Sequence, residues 1–441
     1  MKVTRTASIL GSRIGGARQW LTVVALSVPL LDCNLLNKGL ETTAPDKIET
    51  STLEVPANAT LIVNSAIGAF ECALGSYIVD AGMASGELMD ATPTAANWAF
   101  DRRDTDPSAD TRYATNQCDA YGLYTPIQVA RGMADRALEL LQGWTDAQVP
   151  DRQDLIAKSA AYAGYSRILL GEGFCEAAIN LGPKLTSNEV FASAESMFTT
   201  AITAAQAAGD AQMLNMAYVG RARARLDQGN KAGAAADAAL VTPGFVQYAS
   251  AEVAPSTRQN RVADFNIGGA ITIAPAYRDL TVTDANGNQV PDTRVVDTTA
   301  KTSSGAPRAG NDNRTPWYIQ TKYPSTATPI PIASYKEARL IIAEVQGGQQ
   351  AVDIINALRA SHGLPAFSSS DPNAIANQVI EERSRELFLE GQHFYDVRRL
   401  NLPLVPAAGI AYSTVYLKGG TYGSERCFPL PDVETLNNPN I

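Results

Sequence analysis

Apolar residues recur at three- and four-residue steps along much of the chain, as in Ile127, Ala130, Ala134, Leu138 and Leu141. Such a stripe is the buried face of an amphipathic helix. Comparable patterns predict helices over roughly residues 151–171, 187–208 and 211–240. The pattern returns at Tyr335, where YKEARLIIAEVQGGQQAVDIINALRASHGLP reads as two helices joined at Gly347-Gly348 and stopped at Gly363 and Pro365. Ser370 or Asp371 is placed to cap the next helix, whose apolar positions include Ile375, Val379, Ile380 and Leu387.

Two of the predicted helices rhyme. AYAGYSRILLG starts at Ala161 and AYVGRARARLDQG at Ala217, and each carries Ala-Tyr-x-Gly with an arginine six residues after the first alanine. Small residues at these steps let helices approach closely, which is how tetratricopeptide pairs pack. Between about Pro243 and Pro331 the helical period is lost. There LTVTDANGNQVPDTRVV predicts a hairpin turned at Asn286-Gly287. Asp284, Asn286 and Asn288 imitate the start of a calcium loop, but Val295 stands where the bidentate acid belongs, so a turn is the better reading. The polar stretch from Thr298 to Thr315 reads as an exposed loop.

Composition narrows the class without choosing a function. The chain has 441 residues, 45% hydrophobic and 18% charged, with a net charge of −9. That is globular usage, and no basic stripe recommends nucleic acid as a partner. The N-terminus differs from the rest. Lys2, Arg5, Arg13 and Arg18 precede an apolar run from Trp20 to Leu31 that is too short to span a membrane, and Asp32-Cys33 follows. This order is an export signal ending at a lipidated Cys33, although Asp32 departs from the small residue usual before such a cysteine. A polar tether from residue 33 to about residue 58 would hold the body away from the membrane. The remaining cysteines, Cys72, Cys118, Cys175 and Cys427, allow three pairings outside the cytoplasm. Cys72 with Cys118 and Cys175 with Cys427 is the expected one.

The stretch EERSRELFLEGQHFYDVRRL, Glu381 to Leu400, looks most like chemistry. Glu386 and Glu390 stand four apart and would share a helix face, with His393 and Asp396 beyond. Arg383, Arg385, Arg398 and Arg399 compete for the same carboxylates, and Glu381–Arg385 and Arg383–Glu386 are spaced as helical ion pairs. His362 is the only other histidine. A charge-laced structural helix is favoured over a metal or acid/base site.

ERSRELFLEGQHFYDVRR also resembles the hallmark of the SusD/RagB family of nutrient-binding outer-membrane lipoproteins. Lys322-Tyr323, Tyr335-Lys336-Glu337-Ala338-Arg339-Leu340, Asn356-Ala357-Leu358-Arg359 and the ending Phe428-Pro429-Leu430-Pro431 fit the same family in order, as does the start Cys33-Asn34-Leu35-Leu36. The resemblance implies a mainly α fold. Tetratricopeptide-like helix pairs form a platform, and an irregular loop-rich region with a few short strands holds the ligand. It implies a signal over 1–32, a tether over 33–58 and a body over 59–441, with helical repeats at about 59–242 and 332–400 and a loop-rich insertion at about 243–331. It further implies a non-catalytic protein, lipid-anchored in the outer membrane and facing outward, that needs no cofactor. Its partners would be an oligosaccharide or similar nutrient and a SusC-like TonB-dependent transporter.

Sugars are held by flat aromatic faces, with amides, carboxylates and arginine taking the hydroxyls. Two polar stretches offer that mixture: one with Asn97, Trp98, Asp101 and Arg102, the other with Trp317 and Tyr318. Tyr113, Tyr121 and Tyr124 are weaker candidates. Two other functions compete with binding. One is a glycosidase working through paired acids such as Asp101 and Glu87. The other is a protein-interaction scaffold in which both tryptophans are buried.

Overall fold

The first long apolar run, from Ala59 to Ser85, becomes a 27-residue helix (α1) that Gly86 ends in the left-handed region at φ 83°. It belongs to the single compact unit formed by residues 51–441 of the computed structural model. The structure describes residues 50–108, 118, 122–412 and 418–441. The expected signal, Cys33 and most of the tether lie outside the described residues, as do Tyr113 and Tyr121. The part of the tether that is described is helical: Thr50–Leu53 and Pro56–Asn58 form short turns, and Glu54 pairs with Arg136 of the body.

The short helix α2 (Trp98–Arg102) precedes five further helices: α3 (Tyr124–Gly143), α4 (Arg152–Gly173), α5 (Ser187–Ala208), α6 (Ala211–Asp227) and α7 (Lys231–Ala238). Each of α4 to α7 packs on the one before it, and α3 packs on α1. The breaks between them are written in polar caps. Thr186 and Glu189 close a reciprocal capping box at the start of α5, and the Asp210 carboxylate accepts from the Gln212 and Met213 amides at the start of α6. Sequence period ran α6 and α7 together. Gly229 at φ 80° and the Asn230 cap, which accepts from the Gly233 amide at 3.0 Å, divide them.

The rhyming stretches face a common neighbour. A Cβ at Gly164 would stand 2.7 Å from the Phe198 ring on α5, and one at Gly220 would also meet that ring. The equivalent arginines each leave their own helix pair. Arg167 forks onto Asp135 of α3 at 2.8 and 2.9 Å, and Arg223 onto Glu337 at 2.6 and 2.8 Å. After the short helix α8 (Arg261–Ile267), Glu337 sits on α9 (Tyr335–Gln346), so this second fork ties the early helices to the late ones, α9, α10 (Gly348–Ser361) and α11 (Pro372–Glu386). The cap of α11 is Asp371, which accepts from the Asn373 amide at 3.1 Å. This is the mainly α, tetratricopeptide-like fold that the sequence implies.

Among the described residues the strands form two-stranded antiparallel ribbons. β1 (Leu88–Asp90) pairs with β5 (Ile271–Ile273), β2 (Glu176–Ala178) with β3 (Lys184–Thr186), and β4 (Val246–Ala249) with β10 (Ile330–Ser334). β6 (Thr281–Thr283) and β7 (Gln289–Pro291) make the expected hairpin. The Asp284 carboxylate accepts from the Asn286 and Asn288 amides at 2.8 Å, and Gly287 takes φ 82°. The stretch 298–315 departs from the loop expectation. It begins inside β8 (Asp297–Thr299), which pairs with β9 (Tyr318–Gln320), and isolated antiparallel bridges at Lys301–Pro307 and Ala309–Pro316 close two short turns within it. Its alternation is too polar to register as strand from one sequence.

Disulfides join Cys72 to Cys118 and Cys175 to Cys427. The second returns the C-terminal segment to the end of α4, where Phe428 N–H donates to Gly173 O at 2.8 Å.

Candidate ligand-binding site

The signature stretch is locked by ion pairs, and its geometry differs from the helical spacing. Helix α11 ends at Glu386, and Leu389 takes φ 56°. Glu390 therefore does not stand one turn beyond Glu386, and the shared helix face does not form. Lys336 Nζ and His362 Nε2 lie 2.5 and 3.0 Å from Glu386 Oε1. Burial pushes the Glu386 carboxyl up, but these partners outweigh it and hold it down at about 2. Glu390 pairs with Lys322 at 2.7 Å, and Glu381 with Arg385 as expected. Arg383 turns away from Glu386 to Asp396 at 3.1 Å, because the chain reverses after α11 and α12 (His393–Arg399) returns alongside it. Asp396 also pairs with Arg399 at 2.6 Å. Its carboxyl would rise through burial, but Arg383 and Arg399 hold it far below the usual range. His393 opens α12, its ring edge-on to Tyr277 at 5.9 Å, and burial lowers its pKa so that it is neutral near pH 7.

The two aromatic stretches come together elsewhere, at the open end of the β1–β5 ribbon. Asp312 N–H donates to Ala91 O at 2.8 Å, and Asn311 N–H donates to Gly269 O at 2.9 Å. Gly310 permits this approach, since a Cβ there would fall 2.8 Å from Gly269 O. Lys418 bolts the junction. Its ammonium donates to Asp90 O at 2.6 Å and Asp90 Oδ1 at 3.0 Å, lies 3.3 Å from Asp312 Oδ2, and sits 5.8 Å from the Trp98 ring centre. Its side chain is 3% exposed. Burial raises the Asp90 carboxyl, with Lys418 opposing.

The candidates divide by exposure. Trp98 is half-buried, with its indole N–H donating to Thr92 O at 3.0 Å, so the ring is aimed by its polar edge. Asn97 is buried behind it and donates to Thr92 Oγ1 at 3.1 Å. Asp101 is buried as well. Its Oδ2 accepts from the Asp90 amide at 2.8 Å and the Tyr412 hydroxyl at 2.9 Å, and burial pushes its carboxyl up to about 7. Arg102 is partly exposed, with its guanidinium 3.6 Å from Asp104 and 6.0 Å from the Tyr412 ring centre. Trp317 is only 8% exposed and donates its indole N–H to Asn266 O at 2.7 Å. That is the position of a loop anchor and not of an open sugar platform. Tyr318 is half-buried, with the Arg278 guanidinium 3.9 Å from its ring centre. Tyr124 is buried in the helical core, edge-on to Phe174.

The proposed acid pair of a glycosidase is closed to substrate. Glu87 is 1% exposed and accepts from the Leu389 amide at 3.1 Å, and burial raises its carboxyl to about 7. Asp101 is 3% exposed and already holds two donors. Sequence reading missed Lys418, Asp312 and Tyr412. Lys418 and Tyr412 act on residues more than three hundred positions away, so no local spacing announces them.

Residues 333–441 match the family model of the SusD family. No curated protein matches the chain in sequence. A SusD superfamily protein from Bacteroides vulgatus superposes with a TM-score of 0.66 at 17% identity, over 87% of this chain and 97% of its own. A SusD-like carbohydrate binding protein from the same organism gives a TM-score of 0.63 at 15% identity, over 88% and 97%. Surface glycan-binding protein A from Bacteroides thetaiotaomicron, solved with laminarihexaose, gives 0.60 at 13%, over 87% and 98%. At these identities the likeness is one of fold.

Proposed function

Starting from a chain whose residues 333–441 match the SusD family model, we propose that it is a non-catalytic surface lipoprotein that binds a glycan and passes it to a TonB-dependent outer-membrane transporter. The observation that carries the reading is the Lys418 bolt. Its ammonium lies 5.8 Å from the half-buried Trp98 ring and 3.3 Å from Asp312, in the segment that leads into Trp317 and Tyr318, so it ties together two stretches far apart in sequence. The sugar-facing groups are Trp98, Arg102 and Tyr318. Trp98 offers a flat face to the apolar side of a pyranose, and Arg102 donates to hydroxyls. Asn97, Asp101 and Trp317 stand behind them and fix their positions. Two solved neighbours, one a SusD-like carbohydrate binding protein and one holding laminarihexaose, support glycan as the ligand class. Lipidation at Cys33 would anchor the protein, with the helical platform lying against the barrel.

Affinity electrophoresis of the purified protein through gels containing laminarin and other soluble polysaccharides tests the binding step. Retardation by at least one polymer, abolished by Trp98→Ala, is the expected result. Migration unaffected by every polymer, or retardation indifferent to Trp98→Ala, would remove the reading. Pull-down of the full-length protein from its own membranes in mild detergent tests the partner. A large β-barrel protein should come down in equal amount.

A further inference from the structure

A recess of about 340 Å³ lies between the signature stretch and the β4–β10 ribbon. That volume is at the small end of the range for small-molecule sites, about 300–1,000 Å³. Its walls include Tyr248, Lys322, Lys336, His362, Glu386 and Glu390. The charges on these walls are already matched. Lys336 serves Glu386, which also takes His362 Nε2, and Lys322 serves Glu390 and, at 2.7 Å, Phe388 O. An ammonium has three N–H groups, so each lysine keeps at least one to spare. Glu386 Oε2 is buried and makes no hydrogen bond; the Arg294 guanidinium, paired with Asp292 through Nη2 and with Glu382 through Nη1, brings Nη1 to 3.8 Å from it. Tyr248 is 47% exposed at the rim.

Spare donors, a carboxylate oxygen with no hydrogen bond, charges already paired and an exposed aromatic face call for an uncharged molecule rich in hydroxyls. A hydroxyl both gives and takes a hydrogen bond, and a pyranose has an apolar face for the tyrosine ring. An added anion would meet Glu386 and Glu390, and an added cation would meet Lys322 and Lys336. We propose that this recess is a second binding site, separate from the Trp98 cluster, for one or two rings of a neutral sugar.

Saturation-transfer NMR on the whole protein with D-glucose, D-mannose and D-galactose, and with D-glucuronate as the charged control, tests it. Tyr248→Ala changes an exposed side chain and keeps the fold, whereas Lys336→Met removes a donor next to a buried carboxylate. Transfer from at least one neutral hexose is expected, with affinity falling about tenfold in either variant, the scale of one lost contact, and unchanged in Trp98→Ala. Absence of transfer from every neutral hexose overturns the proposal. So does an affinity left unchanged by Tyr248→Ala, transfer lost with Trp98→Ala, or a preference for glucuronate. Polymer retardation reports the Trp98 cluster independently, so failure here leaves that reading standing.

Discussion

Arg223 and Glu337 form a buried two-pronged ion pair at 2.6 and 2.8 Å between helices more than a hundred residues apart in sequence. Removing one partner strands the other charge in the core. Glu337→Ala should therefore cost about 3–5 kcal/mol of stability, whereas replacing both, as in Arg223→Met with Glu337→Leu, should cost much less. Urea unfolding of the two single variants and the double checks this. A double variant as unstable as the sum of the singles would show that the pair acts through something other than charge compensation.

Gly220 lies against Phe198 so closely that any Cβ overlaps the ring. Alanine favours an exposed helix over glycine by about 1 kcal/mol, but the overlap forces a shift that costs about 1–3 kcal/mol. Gly220→Ala should be destabilising, and Phe198→Leu should recover part of the loss by making room. Thermal melts of the singles and the double measure the coupling directly. Stabilisation by Gly220→Ala alone would contradict the packing described.

Asp101 should give the protein a pH signature. Its carboxyl is raised by burial from the ordinary 3.8 to about 7, so the native state holds its proton more tightly than the unfolded chain. The resulting stability is fully present below about pH 4, the unfolded value, and is lost as pH rises towards 7. Asp101→Asn cannot titrate, and its amide oxygen can still accept from the Asp90 amide and the Tyr412 hydroxyl, both of which use Oδ2. The variant should therefore show a flatter stability profile between pH 4 and 7 than the parent. Identical profiles from denaturation across that range would place Asp101 outside the titration. Glu87, also raised to about 7, keeps part of the slope in both proteins.

Local rules carried the sequence reading well where structure is made locally. The capping residue Asp371 and the Asn286-Gly287 turn follow from side chains bonding to neighbouring backbone, and the division at Gly347 from a φ of 61° that glycine takes freely. The paired Ala-Tyr-x-Gly stretches were legible because close helix packing demands small residues at fixed steps. The reading failed where a few backbone angles redirect the chain. Leu389 at φ 56° dissolves the supposed Glu386–Glu390 face, and nothing in the residue type leucine foretells it. It also missed what only the finished fold brings together. Lys418 meets Asp90 and Asp312, and Tyr412 meets Asp101, across most of the chain. Both tryptophan stretches were recognisable by composition, but which ring stays open depends on those long-range contacts.

That difference between Trp98 and Trp317 gives the sharpest contrast. Trp317 is 8% exposed, and its N–H is committed to Asn266 O at 2.7 Å. Trp317→Ala should therefore leave a large cavity and cost about 3–5 kcal/mol. Trp98 is half-buried with one indole bond to Thr92 O, so Trp98→Ala should cost much less stability while removing the ring on which a sugar would stack. Base stacking on aromatic side chains is worth about 1–3 kcal/mol per ring, and a comparable loss here would weaken glycan binding by about one to two orders of magnitude. Melting temperature and polymer retardation, read on the same two variants, separate the roles. Trp98→Ala should melt near the parent and bind poorly. Trp317→Ala should melt early and, at a temperature where it remains folded, bind better than Trp98→Ala. The opposite ranking in binding would make Trp317 the contact residue and Trp98 the anchor.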